Sequence, residues 1–146
     1  MKKSILFLSV ALLSIFFVSC KKDDAQAVDA RDKFVGRWFG NFTLAIPAAG
    51  VNETDTLTHI ISKNPANANQ IIIDSFQFAT INGDSFTYLP LTQTETDPST
   101  GLTTTVTFNG SGAITNGTNM TETGTIVINA AGVTLNGTFS ANLTKQ

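Results

Sequence analysis

The sequence predicts an all-β fold, an antiparallel up-and-down meander of about eight strands that closes into a small barrel. Thr, Ile and Phe are abundant in the chain after residue 36, where Glu and Lys are sparse. Apolar and polar residues alternate with a period of two, and turn-forming residues recur at regular intervals. Closing a meander removes its exposed edges, so a barrel is expected, with a two-sheet β-sandwich as the alternative.

The first 19 residues have the three zones of an export signal. A basic Met1-Lys2-Lys3 start is followed by an apolar run from Ser4 to Val18, and then by the small Ser19. That run is shorter than the roughly 20 apolar residues that a helix needs to cross a bilayer. Residues 1–19 are therefore predicted to be a cleaved signal peptide, residues 20–30 a lipidated N-terminus and linker, and residues 31–146 the folded domain.

The segment Phe17-Val18-Ser19-Cys20 resembles the lipobox of bacterial lipoproteins, with Phe17 where that motif usually has Leu. The resemblance implies cleavage before Cys20, acylation of its thiol and its new amine, and attachment to a membrane. The alternative is an incidental cysteine in an uncleaved segment. Because Cys20 is the only cysteine, an intramolecular disulfide is excluded.

The four residues after Cys20 are Lys21, Lys22, Asp23 and Asp24. This start is similar to that of many Bacteroidota lipoproteins, in which a Lys followed by acidic residues directs transport to the cell surface. The resemblance implies an exported protein anchored at the outer membrane or the cell surface. The alternative is a solvated charge cluster in a linker.

The charge balance argues against nucleic acid as a partner. Loss of Lys2 and Lys3 with the signal leaves 7 basic and 11 acidic residues, a net charge of −4. From Trp38 onward only Lys63 and Lys145 are basic. A nucleic-acid-binding face needs a positive patch, which this distribution does not supply.

The first and last strands give the clearest patterns. After one helical turn predicted over Asp29 to Val35, alternate residues from Trp38 to Ile46 are apolar or glycine. From Val133 to Thr144 the alternation is strict, which predicts that Val133, Leu135 and their successors at every second position face a core.

The middle of the chain predicts further strands with local irregularities. The face of Leu102 to Ile114 includes Gly110 and Gly112, which predict a bulge or sharp bend. Ile71 and Ile73 differ in parity from Phe76 and Phe78, which predicts a bulge near Asp74-Ser75. Weaker strands are predicted over 56–62, 85–93 and 119–129. Hairpin turns are predicted at Asn82-Gly83, Asn116-Gly117 and Ala131-Gly132, and longer connections over 47–54 and 94–101.

The segment Asp29 to Phe39, DARDKFVGRWF, resembles the opening of lipocalins and related calycin barrels. Phe34, Gly36, Trp38 and Phe39 match places where that family often carries a Phe, a Gly-x-Trp and an aromatic residue. The resemblance implies a calycin-like barrel with Trp38 at its floor. It also implies that Lys145 of the last strand packs on the Trp38 ring, as a cation–π pair. Small Bacteroidota lipoproteins with an FVGxW start are expected to be closer kin.

No catalytic constellation is apparent from the sequence. His59 is the only histidine, and on a face shared with Leu57 and Ile61 it is expected to be a hydrogen-bonded core or rim residue. One histidine without a usable cysteine is too few for a His-based metal site, and no calcium-loop spacing occurs. The chain is therefore predicted to be a non-enzyme without a metal or cofactor.

Two residues are weak candidates for ligand binding, His59 and Glu122. Glu122 has the parity of an inward residue, but an unpaired buried carboxylate is costly, so a solvated position at a bulge or strand end is the favoured expectation. The triplet Asp55-Thr56-Leu57 resembles a Bacteroidota O-glycosylation site. Two functions remain open: binding of a small lipophile or glycan at the barrel mouth, and a structural or accessory role with a filled barrel that docks a membrane complex.

Overall fold

The computed structural model describes residues 28–146. The predicted signal peptide, the lipidation site Cys20 and the sorting residues Lys21, Lys22, Asp23 and Asp24 lie outside the described residues. The domain starts with one helical turn, in which the Phe34 amide donates to the Arg31 carbonyl over 2.9 Å. The turn predicted over Asp29 to Val35 is therefore present.

Nine β-strands and one short 3₁₀ turn, Pro47–Ala49, follow within the described part of the chain. The strands are β1 (Gly36–Ile46), β2 (Val51–Lys63), β3 (Gln70–Ile73), β4 (Gln77–Asn82), β5 (Ser85–Tyr88), β6 (Leu91–Thr96), β7 (Thr103–Ile114), β8 (Asn119–Ala130) and β9 (Val133–Lys145).

The strands form one antiparallel sheet in the order β5-β4-β3-β2-β1-β9-β8-β7-β6. Phe86 of β5 also pairs with Gly112 of β7, and this pairing closes eight strands into a barrel. β6 is the extra strand, and it lies along the first half of β7, beside the place where β5 pairs. The predicted all-β meander and its closure into a barrel are confirmed, and the β-sandwich alternative is wrong.

The first and last strands, β1 and β9, are neighbours in the sheet. Most of their apolar residues face the same interior. Trp38 of β1 pairs with Lys145 of β9, and the inward side chains Trp38 and Leu143 are buried. The inward assignment fails at one end, because Val133 is 57% exposed. It pairs with Ala130 at the tip of the β8–β9 hairpin, beyond the reach of the barrel core.

The glycines of β7 do not mark a bulge. β7 pairs with β8 without interruption from Thr104 to Ile114. A Cβ atom on Gly112 would lie 2.2 Å from Cζ of Phe86, and one on Gly110 would lie 2.9 Å from Cζ of Phe139. These glycines are needed because the rings of Phe86, on the paired strand β5, and Phe139, two strands away on β9, occupy the space of their missing side chains.

The change of parity near Asp74-Ser75 comes from a hairpin turn between β3 and β4, so the predicted bulge is wrong. Asp74 and Ser75 have φ angles of 52° and 70°, and Ile73 pairs with Gln77 across the turn. The predicted long connections are also shorter than expected, because β2 begins at Val51 and β6 continues to Thr96.

The three predicted hairpin turns lie at strand connections, but the first is shifted by one residue, because Asn82 ends β4 and pairs with Ser85 across a Gly83-Asp84 loop. Gly83 follows β4 with a φ angle of 58°, and Gly117 lies between β7 and β8 with a φ angle of 77°. At the β8–β9 turn, Ala131 and Gly132 both have positive φ angles, 51° and 79°. That pair of values is the conformation of a type I′ turn, whose twist matches that of the flanking strands.

One end of the barrel is filled by apolar side chains. Trp38 and Phe34 are fully buried there, and the Trp38 indole N–H donates to the Phe34 carbonyl over 2.7 Å. The other members of this core are Ile61, Ile71, Ile73, Ala79, Phe86, Ile114, Met120, Ala141 and Leu143. Between Val28 and Gln146, no helix is long and apolar enough to span a bilayer.

Candidate functional site

The barrel interior is hollow beside the filled core. A cavity of about 240 Å³ lies between the walls and is lined mainly by aromatic and aliphatic side chains. Its lining includes Phe42, Leu57, His59, Asp74, Phe76, Tyr88, Leu91, Gln93, Phe108, Glu122 and Phe139. Four of these residues carry ionisable groups, and three of the four, His59, Asp74 and Glu122, meet on one side of the cavity.

The Asp74 carboxylate is hydrogen bonded to one nitrogen of the His59 ring. Its Oδ2 atom lies 2.5 Å from His59 Nδ1. Its Oδ1 atom accepts the Ile60 N–H over 2.8 Å, and the Asp74 N–H donates to the Ile60 carbonyl over 2.9 Å. Asp74 therefore fastens the β3–β4 turn to the edge of β2 and fixes the orientation of the imidazole.

Glu122 meets the other nitrogen of the same ring. His59 Nε2 lies 3.3 Å from Glu122 Oε2. Because β1 and β9 separate β2 from β8 in the sheet, this contact crosses the barrel interior. Across the strands Glu122 is flanked by Gly112 and Ala141, and these small residues leave room for its carboxylate.

Glu122 is 2% exposed and has one carboxylate oxygen without a partner. Its Oε1 atom is buried and accepts no hydrogen bond. The expectation of a solvated Glu122 is wrong, because β8 is regular through this residue and His59 supplies the partner that sequence reasoning could not identify. A buried acceptor without a donor is costly, typically about 1–3 kcal/mol, which makes Oε1 the unusual feature of the site.

The two carboxylates favour the charged form of His59. Burial alone lowers the pKa of the imidazole, but the hydrogen bond and charge of Glu122, with a smaller effect of Asp74, outweigh burial and raise that pKa above its ordinary value. Both ring nitrogens face carboxylate oxygens, so the imidazolium is the form that matches its surroundings.

Tyr88 brings a hydroxyl to the same cavity. Burial, together with the charge of Glu122 and hydrogen bonding to its carboxylate, raises the pKa of Tyr88, so its phenol stays neutral. The Tyr88 ring packs edge-on against Phe86, with the centroids 5.4 Å apart, and the Phe139 ring lies beyond it at 6.4 Å. Phe139 stacks in turn on Phe42 at 6.2 Å, so a continuous series of rings forms one wall of the cavity.

The cavity lies where the barrel wall is incomplete. β2 pairs with β3 only from Ile61 to Lys63, so within the described chain most of β2 has a single neighbour, β1. β6 likewise pairs only with β7. Phe76 and Gln93 line the cavity and are exposed, so the cavity reaches solvent on this side.

The residues predicted for the barrel floor meet away from the cavity. Lys145 Nζ lies 5.4 Å from the centroid of the Trp38 ring and donates to the Lys33 carbonyl over 3.0 Å. A Cβ atom on Gly36 would lie 3.2 Å from Cε of Lys145, so glycine leaves space for that chain. The contacts of Lys145 with Trp38 and Lys33 therefore hold the N-terminal turn against the last strand.

Sequence reasoning named His59 and Glu122, which the structure brings together, but it missed Tyr88 as a member of the site. It considered Asp74 as part of a predicted bulge. No group of three or more His, Cys, Asp or Glu side chains in residues 28–146 is arranged to hold a metal ion. Thr56 of the Asp55-Thr56-Leu57 triplet is exposed on β2.

No family model matches the chain, and no curated protein is detectably similar to it. A solved structure that resembles it is that of a protein of unknown function from the DUF3598 family of Nostoc punctiforme. The two are 13% identical with a TM-score of 0.38, and the match covers 77% of this chain and 48% of that one. The chain thus spans about half the length of that protein.

Proposed function

We propose that the protein binds a small molecule that places an apolar body in the barrel cavity and a polar end beside Glu122. The observation that carries this proposal is a cavity of about 240 Å³ with mostly apolar walls and one buried, unpartnered acceptor, Glu122 Oε1. Binding sites for small molecules commonly combine apolar walls with a few convergent polar groups.

Binding is favoured over catalysis by the state of His59. A general base needs a free ring nitrogen within reach of the substrate. Nδ1 faces Asp74 at 2.5 Å and Nε2 faces Glu122 at 3.3 Å. The atom left for a ligand is therefore a carboxylate oxygen. The accessory hypothesis, with a filled barrel, gives no reason for a cavity of this kind.

Binding is tested on the full protein, purified in detergent, by thermal shift and native mass spectrometry with fatty acids, hydrophobic cofactors and oligosaccharides. A ligand at 100 times its Kd raises the free energy of unfolding by about 2.7 kcal/mol. Leu57→Trp fills the cavity and is expected to abolish the shift, whereas Ile60→Trp, at an exposed position on the same strand, retains it. Absence of any stabilising ligand contradicts the proposal.

The proposal includes export and anchoring through Cys20. The basic start, the apolar run and the position of the only cysteine support cleavage after Ser19 and acylation of Cys20. The CKKDD start supports placement at the outer membrane or cell surface, with the membrane as a partner through the lipid.

Metabolic labelling with an alkyne-bearing fatty acid tests the anchor. We expect label on the wild-type protein and none on Cys20→Ala, which is also expected to keep its signal peptide and migrate as a larger band. Equal labelling of both proteins would mean that Cys20 is not the site of acylation.

A further inference from the structure

The unpartnered oxygen of Glu122 restricts the chemistry of the ligand. Oε1 is a buried acceptor, so a ligand group that satisfies it must donate a hydrogen bond. Two carboxyl groups, Asp74 and Glu122, surround the single imidazole of His59, so acidic groups outnumber basic groups at this site. A cationic donor suits both this imbalance and the unpartnered acceptor.

The walls around Glu122 also suit a cation. Phe42, Phe139 and Tyr88 form the series of rings that borders the cavity, and Phe108 lines it as well. The faces of aromatic rings attract ammonium groups, and this attraction strengthens where water is excluded. An anionic ligand would instead meet a buried carboxylate and the negative faces of the rings.

We propose that the cavity binds a small primary amine with an apolar body, whose ammonium group donates to Glu122 Oε1 while its body packs against Phe42, Phe108 and Phe139. This inference rests on the proposed binding function and specifies its ligand class. The size of the cavity limits the body: a cavity of about 150 Å³ holds a benzene ring, so about 240 Å³ accommodates a ring with a short chain.

Four compounds with the same phenylethyl skeleton separate the polar end from the apolar body. They are phenethylamine, phenethyl alcohol, phenylacetate and ethylbenzene, each titrated into the full-length protein in detergent and followed by calorimetry or ligand-observed NMR. Phenethylamine is expected to bind most tightly, phenethyl alcohol and ethylbenzene more weakly, and phenylacetate weakest of all.

Variants assign the preference to Glu122. Glu122→Gln keeps the shape of the side chain, and it is expected to weaken phenethylamine binding about 10- to 100-fold while leaving ethylbenzene binding nearly unchanged. Glu53→Gln, an exposed carboxylate on β2, is the control and is expected to change neither. Phe108→Leu is expected to weaken phenethylamine most, because it removes a ring face that attracts the ammonium group as well as apolar contact. Circular dichroism and thermal melting establish that each variant folds.

The outcomes distinguish this inference from the function on which it depends. If the four compounds bind equally well, or if Glu122→Gln keeps the full amine preference, the amine assignment is wrong and the apolar binding function stands. If no compound of the series or of the broader screen binds the folded protein, the binding function itself is wrong. A preference for phenylacetate overturns the assignment outright.

Discussion

The side chain of Gly112 is a single hydrogen atom, and this leaves room inside the barrel for the ring of Phe86. Its missing Cβ would lie 2.2 Å from Cζ of Phe86, a ring that is 1% exposed and cannot move into solvent. We therefore expect Gly112→Ala to lower the free energy of unfolding by about 1–3 kcal/mol, as overpacking does. Urea denaturation measures the change.

A double-mutant cycle tests the cause of that loss. Phe86→Leu shortens the side chain that the new methyl group would meet, so Gly112→Ala should cost less in a Phe86→Leu background. Ser111→Ala, at an exposed neighbouring position on β7, is the control and is expected to change stability by less than about 0.5 kcal/mol. Additive effects of the two core substitutions would contradict the steric explanation.

His59 makes stability depend on pH in a defined direction. Its pKa is raised in the folded protein above the ordinary 6.5, because the carboxylates of Glu122 and Asp74 outweigh burial. The protonated ring thus contributes stability that is complete below about pH 6.5 and is lost as pH rises through the folded pKa. We expect a decrease of up to about 1.4 kcal/mol per pH unit in that window.

Two measurements check the pH dependence. The chain has one histidine, so NMR titration of its imidazole gives the folded pKa directly, and a midpoint above 6.5 is expected. Urea denaturation from neutral to alkaline pH should show a decline that His59→Gln lacks. A midpoint below 6.5, or the same decline in both proteins, would contradict this account of the site.

Sequence reasoning reached the site only in part, for reasons visible at single residues. The parity of β8 pointed Glu122 inward, but the cost of burying a charge favoured solvent, because the compensating His59 lies 63 positions earlier on a strand across the barrel. Tyr88 carried no signal beyond its being the only tyrosine. Contacts across a closed barrel depend on its register and tilt, which a local pattern does not contain.

The β8–β9 hairpin is an element whose turn can be improved. Ala131 has a φ angle of 51° at the first central position of the turn, a left-handed conformation that costs an L-residue about 1–2 kcal/mol. Asn adopts it more readily and is preferred there. We expect Ala131→Asn to raise the free energy of unfolding by about 0.5–1 kcal/mol in urea denaturation.

A matched substitution on the same hairpin controls for the side chain itself. Ala130→Asn places the same amide at a strand position where the backbone is extended, so no gain is expected. Equal stabilisation by both substitutions would show that the effect comes from the added amide and not from the turn conformation.

Whole elements were predicted well where a strand is long and its pattern strict, as in β1 and β9. They were predicted poorly where two explanations share one signal. A change of parity at Asp74-Ser75 accompanies a bulge and a tight hairpin alike, and the structure has the hairpin. Val133 kept the inward parity of β9 but lies at the hairpin tip, where no core remains to cover it.

At the scale of the molecule, the alternation of apolar and polar residues and the spacing of turns predicted a barrel. They did not predict that one part of its interior is filled and another part is hollow. Trp38 and Phe34 fill one end, and the glycines of β7 and β8 make room for the rings of Phe86 and Phe139 from nearby strands. Alternation indicates which side chains face inward, but it does not indicate how much of the interior they fill.

At two places in the barrel wall, neighbouring strands share only three residue pairs. The segment β3–β5 joins β2 through the Ile61–Lys63 pairs and β7 through the Ser85–Thr87 pairs, whereas β8 and β9 pair along their whole lengths. The same segment carries Ile71, Ile73, Ala79 and Phe86, each at most 1% exposed. Side-chain packing against the core, more than backbone pairing, therefore holds this part of the wall in place.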